Sequence, residues 1–391
     1  MVKTIRDINI QNKTVIIRCD YNVPLEKGKI IDDTRIMASI ETIEYALSNN
    51  CKIILLSHLG RIKTKKDLRK NSLKPIAVRL GKILHKRIKF INATRGKEVE
   101  EAISNMKPKQ IVMLQNTRYE DLEGNKESSN DSELAKYWAG LADVFINDAF
   151  GTLHRSHASN VGIASNLPSA IGFLVEKEIK ALEQVKSPER PFIIILGGKK
   201  VSDKIGVIEN LITKADYLLL GGGMAFTFLK AEAYPIGSSI LDSESLDFCK
   251  KILKKYEDKI VLPLDIKTNN KYSDEGEIKI KDITEITDEE IGLDIGPRTV
   301  EIFKTFLDKS KMVLWNGPLG VYEFSNFKIS TDEILNYLAK IETKTILGGG
   351  DIVAAASLAG VKDKIYHVST GGGATLEYLE GKTLPGISAI K

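Results

Sequence analysis

Four times in the first half of this 391-residue chain, a short run of Ile, Val and Leu gives way to side chains that hold anions. Arg18, Asp20 and Asn22 follow the run TVII, with Arg35 further on in DDTRI. His58 and Arg61 follow KIILL, and Asn116 and Arg118 follow QIVML. Asn147, Asp148, His154, Arg155 and His157 follow DVFI. Arginine presents a planar fork of donors that matches phosphate and carboxylate oxygens, so its recurrence after successive runs points to an anion site. In the second half glycine takes that place. Gly197–Gly198, Gly221–Gly223, Gly348–Gly350 and Gly371–Gly373 each close an apolar run, and Lys200, Lys204 and Asp351 stand beside two of them.

Residues scattered this widely need a scaffold that returns the chain to one edge. The apolar runs read as strands at 14–19, 52–56, 110–114 and 143–146, then at 192–196, 217–220, 259–262, 311–315, 344–347 and 365–368. They are short and lack polar alternation, as strands buried on both faces do. Helical segments such as 133–141 and 203–214 separate them, which predicts parallel βαβ units. In a parallel sheet all carboxyl ends share one rim, and ligands bind there. The fold expected is α/β: two Rossmann-like parallel-sheet domains joined by a helix, with a cleft between them. The expected boundaries are 1–174 plus 377–391 for the first domain, 175–191 for the linking helix and hinge, and 192–376 for the second. Val175, Ile179, Leu182 and Val185 recur at helical spacing, and Pro188 and Pro191 end that helix.

Charge divides with the domains. Residues 1–186 carry 31 Lys+Arg against 22 Asp+Glu, whereas residues 187–391 carry 26 against 30. Ten of the twelve arginines lie in the first part. Aromatic residues make up only 7% and do not interleave with basic clusters, which argues against nucleic acid as the main partner. No apolar run is long enough to span a bilayer, and the N-terminal MVKTIRDINIQNK holds no apolar signal core. Three separated cysteines suit neither a disulfide framework nor a metal cluster. A cytoplasmic protein without a membrane partner is expected.

Standard phosphate motifs are missing. Neither G-x-x-x-x-G-K-[ST] nor G-x-G-x-x-G fits the glycine clusters, and HExxH, GxSxG and HRD signatures do not occur. The glycine turns therefore read two ways. They are tight βα turns, or backbone that admits phosphate to the amide groups and dipole of a helix N-terminus. Asp351 likewise reads as a helix N-cap or as a Mg²⁺ ligand acting with phosphate oxygens.

Ordered along nearly the whole chain, RCDYNVP (18–24), DDTRI (32–36), SHLGR (57–61), NDAFGTLHRSHAS (147–159) and GGKKVSDKI (197–205) resemble the phosphoglycerate kinase family. LGGGMAFTFL (220–229), DIGP (294–297), WNGPLGVYE (315–323), GGGD (348–351) and STGGGATLEYLEGKTLPGI (369–387) extend the resemblance. It implies reversible phosphoryl transfer between 1,3-bisphosphoglycerate and MgADP, giving 3-phosphoglycerate and MgATP, in a monomer that closes about a hinge. By similarity, Asp20 and Asn22 would meet the hydroxyl and carboxyl region of the triose. His58, Arg61, Arg118 and Arg155 would grip its non-transferred phosphate, with His154 and His157 completing the basic patch. Arg35 would meet the transferring group, and Arg35, Lys200, Gly348 and Gly371 would form the catalytic set. On the nucleotide side the resemblance implies Lys200, Lys204, Gly221, Gly222, Asn316, Glu323, Gly348, Gly349, Gly350 and Asp351, with Asp351 organising Mg²⁺.

Two positions depart from the family pattern. Lys199 stands where a small residue is usual, and is expected to point to solvent. Gln115 replaces a Glu, which puts that side chain's contacts in question. The competing reading is a nucleotide-binding protein that keeps the fold without catalysis. It has no need of Arg35, Lys200, Lys204 and Asp351 together.

Overall fold

The computed structural model describes residues 2–391. By its contacts the chain divides into two compact units, Met1–Ile179 with Thr383–Lys391, and Lys180–Lys382.

The first unit is built on six strands: β1 (Thr14–Cys19), β2 (Lys52–Leu56), β3 (Ile88–Phe90), β4 (Ile111–Met113), β5 (Val144–Asp148) and β6 (Ser169–Ile171). They pair in the order β3-β4-β2-β1-β5-β6, every pair parallel. Side chains alternate across a strand, so Val15 and Ile17 enter one core while Ile16 enters the other. Both faces are buried, and that is why the runs show no polar alternation. Each buried Ile or Val contributes roughly 1.5–3 kcal/mol of transfer free energy. Strand order reverses between β1 and β5, a topological switch point whose carboxyl edge is the expected ligand position.

The second unit repeats the scheme. Its strands are β7 (Phe192–Leu196), β8 (Tyr217–Leu220), β9 (Ile260–Val261), β10 (Asp265–Asn269), β11 (Lys279–Asp282), β12 (Ile291–Ile295), β13 (Met312–Asn316), β14 (Lys344–Leu347) and β15 (His367–Val368). The parallel sheet runs β9-β8-β7-β13-β14-β15, with its switch point between β7 and β13. β11-β10-β12 form a separate antiparallel sheet.

All ten expected strands are present, several trimmed by a residue or two at their ends, while those expected at 143–146 and 311–315 run on to Asp148 and Asn316. β3 and β6, at three residues each, are too short to register as periodic segments. β10 to β12 carry Asp, Lys, Asn and Gly within DIKTN, KIKD and IGLDI, and this masks their pattern. The helix expected over 203–214 spans Ile205–Leu211. The linking helix runs Phe173–Glu183 and continues as a short 3-10 turn over Gln184–Lys186. Residues 377–382, expected with the first unit, cluster instead with the second. The helix Gly373–Leu379 packs on Ile205–Leu211, and Asn210 Nδ2 donates to the Leu379 carbonyl at 2.6 Å.

Candidate active site

Four loops and one strand end build the carboxyl edge of the first sheet. Arg18, the penultimate residue of β1, is fully buried, and all its nitrogens are engaged. Nε donates to Ser159 Oγ at 2.9 Å, one terminal nitrogen to the Cys19 carbonyl at 2.5 Å, and the other meets His58 Nδ1 at 3.2 Å. Beyond it, Asp20 is buried and accepts from Arg35, whose side chain stays 31% exposed. Asn22 is exposed, and its Oδ1 accepts from the Gly60 amide at 2.9 Å.

The loop after β2 carries His58 and Arg61 and is held from below. Buried Asn116 accepts from the Leu59 amide and donates to the Leu59 and Asn71 carbonyls. Arg118 donates to the Gly60 carbonyl at 2.6 Å. Arg61 itself is exposed. After β5, Arg155 Nε donates to His154 Nε2 at 3.0 Å, and buried His157 begins the segment that carries Ser159.

These side chains lie close enough to act on one another's charge. Burial pushes His58 well below its ordinary value, and Arg18, Arg118, His157 and Arg35 push it further. His157 falls to about 3, from burial first and then Arg18, Arg118, Arg155 and His154. Arg118 is lowered to about 10 by burial, with Arg155 and Arg18 adding to it. Burial, the largest cause in each case, leaves the two histidines neutral, and the buried cations of the group are Arg18 and Arg118. A buried carboxylate besides Asp20 lies beneath them. Glu127 is fully buried, accepts from the Ser159 amide at 2.9 Å and from Ser159 Oγ, and its Oε1 is 3.8 Å from His157 Nδ1.

In the second unit the loops after β7, β8 and β13 interlock through backbone. The Gly198 amide donates to the Pro318 carbonyl at 2.9 Å, and the Gly222 amide to the Leu319 carbonyl at 2.8 Å. A Cβ on Gly222 would lie 2.6 Å from the Gly198 nitrogen, and its φ is +63°. The Gly221 amide is taken by the Leu196 carbonyl. Gly221 and Gly222 therefore conform to the tight-turn reading: their amides are already bonded, and glycine is required by the close approach of neighbouring backbone.

The turn after β14 is different. Gly349, with φ +104°, is the N-cap of the helix Gly350–Leu358, and no side chain caps that helix. Asp351 lies in its first turn with its side chain exposed, so the N-cap reading of Asp351 is corrected: the cap belongs to the glycine. The amides of that first turn have no partner within the helix. Asn316, at the end of β13, is buried, donates to the Gly348 carbonyl at 2.5 Å and accepts from Lys204 Nζ. Burial lowers Lys204, against the pull of Asp203, Asp351 and Glu380. Lys200 and Glu323 are exposed. Gly371 is buried, and its amide donates to Ser369 Oγ at 3.2 Å, ahead of the helix Gly373–Leu379.

A family model described as phosphoglycerate kinase matches residues 5–382. The phosphoglycerate kinase of Enterococcus faecalis is 53% identical over 391 residues, spanning 99% of this chain and 98% of that protein. That of Fusobacterium nucleatum is 52% identical over 395 residues, spanning 100% and 99%. The chain belongs to the phosphoglycerate kinase family. It is a kinase, and hence a transferase. Among solved structures, phosphoglycerate kinase from Coxiella burnetii superposes with a TM-score of 0.89 at 36% identity, over 100% of this chain and 99% of that one. The Pyrococcus horikoshii structure gives 0.85 at 31% identity, over 99% and 98%.

Within this chain the two departures from the family pattern are accommodated locally. Gln115 is buried, and its Oε1 accepts from the Leu73 and Asn116 amides at 2.9 Å each. Its Nε2 donates to Ser72 Oγ and Asn92 Oδ1, also at 2.9 Å each. A carboxylate there would have no hydrogen to offer Asn92 Oδ1, so the amide comes with partners matched to it. Lys199 is exposed, as expected. Sequence reasoning passed over Glu127 and Ser159 entirely. Glu127 sits in a polar stretch, DLEGNKESSND, that reads as solvated loop, and nothing local marks its burial. Arg18 left a trace, because an arginine inside an apolar strand must find partners or leave the core.

Proposed function

We propose that this kinase transfers a phosphoryl group reversibly between 1,3-bisphosphoglycerate and ADP, giving 3-phosphoglycerate and ATP. The observation that carries this reading is the gathering of Arg18, Arg118, Arg155 and three histidines at the carboxyl edge of the first sheet, above the buried carboxylate of Glu127. A phosphorylated carboxylic acid supplies the missing negative charge. Arg118 and Arg155 grip its non-transferred phosphate, with Arg61, His154 and His157 around it. Asp20 and Asn22 orient the hydroxyl and carboxyl end. Arg35 is half-exposed while held by Asp20, and can swing from that carboxylate onto the equatorial oxygens of the phosphoryl group in flight.

On the nucleotide side, Lys200 and Lys204 neutralise phosphate charge, and the free amides of Gly349 to Asp351 bind phosphate oxygens. Gly348 and Asn316 fix that turn, Gly371 holds the next, and Glu323 meets the ribose. Among the described residues no group of three His, Cys, Asp or Glu could hold a metal. One exposed carboxylate in the first turn of a helix suits Mg²⁺, which takes one or two carboxylates and completes its shell with phosphate oxygens and water. Asp351 would hold it, and the ion would supply charge neutralisation between the phosphates. No protein nucleophile is needed, since the attacking oxygen of ADP or of the carboxylate is already anionic, and positioning with cations lowers the barrier.

The ligands must meet with water excluded, and we assign the movement to the 175–191 segment. A smaller radius of gyration in solution when both substrates are present, and not with either alone, would support it. The reading includes a cytoplasmic monomer, which sedimentation tests in part.

The deciding experiment is coupled turnover of 3-phosphoglycerate and MgATP, wild type beside Arg35→Ala. Loss of one transition-state donor should lower kcat by roughly 100-fold or more, with the KM for MgATP little changed. Unchanged kcat would remove Arg35 from the transition state, and no turnover by the folded wild type would overturn the reading.

A further inference from the structure

Resting on the reading above, we propose that Glu127 is the positioning residue of the substrate-phosphate site, acting through Ser159 and Arg18 to hold His58 as an Nε2–H donor. The chain of contacts is complete. Glu127 accepts the Ser159 hydroxyl and, at 2.9 Å, the Ser159 amide. A serine hydroxyl has one hydrogen, so with it committed to Glu127 the oxygen can only accept from outside, and Arg18 Nε donates to it at 2.9 Å. Arg18 then reaches His58 Nδ1 at 3.2 Å. A guanidinium has no acceptor to offer, so Nδ1 of His58 must itself accept, and the proton of the neutral ring sits on Nε2. The depressed value of His58 agrees with a neutral ring. Every member of the chain is buried. His58 thus enters the phosphate site as an oriented hydrogen-bond donor, and the cationic work falls to the arginines.

The proposal makes a prediction of opposite sign to simple electrostatics. Replacing a buried carboxylate beneath an anion site raises the local positive potential, which by itself tightens anion binding. If Glu127 acts by position, losing its grip on Ser159 frees Arg18 to turn, releases His58 to either tautomer, and weakens binding.

The test uses Glu127→Gln and Ser159→Ala in the full chain, with steady-state kinetics for both substrates and ¹⁵N spectra of the labelled histidines. The KM for 3-phosphoglycerate should rise about tenfold in each variant, the KM for MgATP should stay put, and kcat should change by less than about threefold. Wild-type His58, assigned by its loss in His58→Asn, should show the Nε2–H tautomer, and both variants a mixture. Ser159→Ala leaves the carboxylate in place, so it keeps the question answerable if Glu127→Gln fails to fold. A fall in KM would show that Glu127 acts only as a charge, and a lowered melting temperature with unchanged KM would reduce it to a structural residue. Wild-type His58 protonated on Nδ1 would overturn the proposal outright. If 3-phosphoglycerate is not a substrate at all, the functional reading fails, and the tautomer measurement still judges the chain Glu127–Ser159–Arg18–His58 by itself.

Discussion

Asp351 occupies the first turn of the helix Gly350–Leu358, two residues past the N-cap Gly349. Its carboxylate makes no cap hydrogen bond, so its removal takes little from the fold. Asp351→Ala should raise the KM for MgATP about tenfold while moving the melting temperature by no more than about 2 °C. A large loss of stability with unaltered nucleotide use would reverse that assignment. His157 carries a prediction about acid. Its folded value is depressed from 6.5 to about 3, chiefly by burial, so the unfolded chain binds a proton that the folded protein refuses. The stability it contributes is present above pH 6.5 and is lost as pH falls from there toward 3. Unfolding of His157→Asn beside the wild type should show a shallower decline over that window. Parallel curves would mean that the buried ring is not held neutral.

At the scale of elements, two glycines one residue apart separate backbone need from packing room. Gly349 has φ +104°, and a Cβ there would lie 2.8 Å from Asn316 Nδ2, the group that holds this turn to β13. Gly350 has nothing within 4 Å of a Cβ and no left-handed backbone. Gly349→Ala should cost about 1–3 kcal/mol and impair nucleotide use, whereas Gly350→Ala should leave thermal stability near wild type. Equal melting temperatures for the two would show that the turn relaxes without penalty. The helix Phe173–Glu183 offers a second case. Asp148, at the end of β5, accepts from the Leu174 amide at 2.9 Å and the Val175 amide at 3.3 Å. Burial raises its carboxyl from 3.8 to about 7. Here the folded state holds the proton that the unfolded chain has lost, so this contribution fades as pH rises from about 4 to 7. Asp148→Asn keeps the acceptor oxygen and removes the titration. Its stability relative to wild type should improve across that interval and level off above it, as chemical denaturation at several pH values would reveal.

At the scale of the whole molecule, charge is uneven: residues 1–186 carry an excess of cations and residues 187–391 an excess of carboxylates. Under the proposed function the basic part takes the small anion, and the acidic part takes nucleotide phosphate through backbone amides and two lysines. Raising ionic strength from about 0.01 to 0.15 M shortens the Debye length from about 30 to 8 Å. The KM for 3-phosphoglycerate should therefore rise more steeply with salt than the KM for MgATP. Equal dependence would mean that the charge excess is a solvated surface unrelated to substrate capture.

By itself the sequence determined the class of fold and the chemistry of its edge. Runs such as TVIIRC and FIIIL are buried on both faces, so their composition alone announces parallel strands, and the residues just past each strand must lie on one rim. Ordered motifs made the family legible for the same local reason: each is a contiguous turn. Tertiary structure decided whatever depends on contacts between distant segments. Only the fold could place Glu127 beneath Arg18, 109 positions away, because burial of a loop carboxylate is set by the segments that pack over it and leaves no periodic trace. It also decided which glycine amides remain free, since those of Gly221 and Gly222 are consumed by carbonyls of Leu196 at the end of β7 and Leu319 in another loop. It moved the helix cap from Asp351 to Gly349, because a cap is fixed by where the chain turns off the sheet edge, a geometry that residue types suggest but do not set.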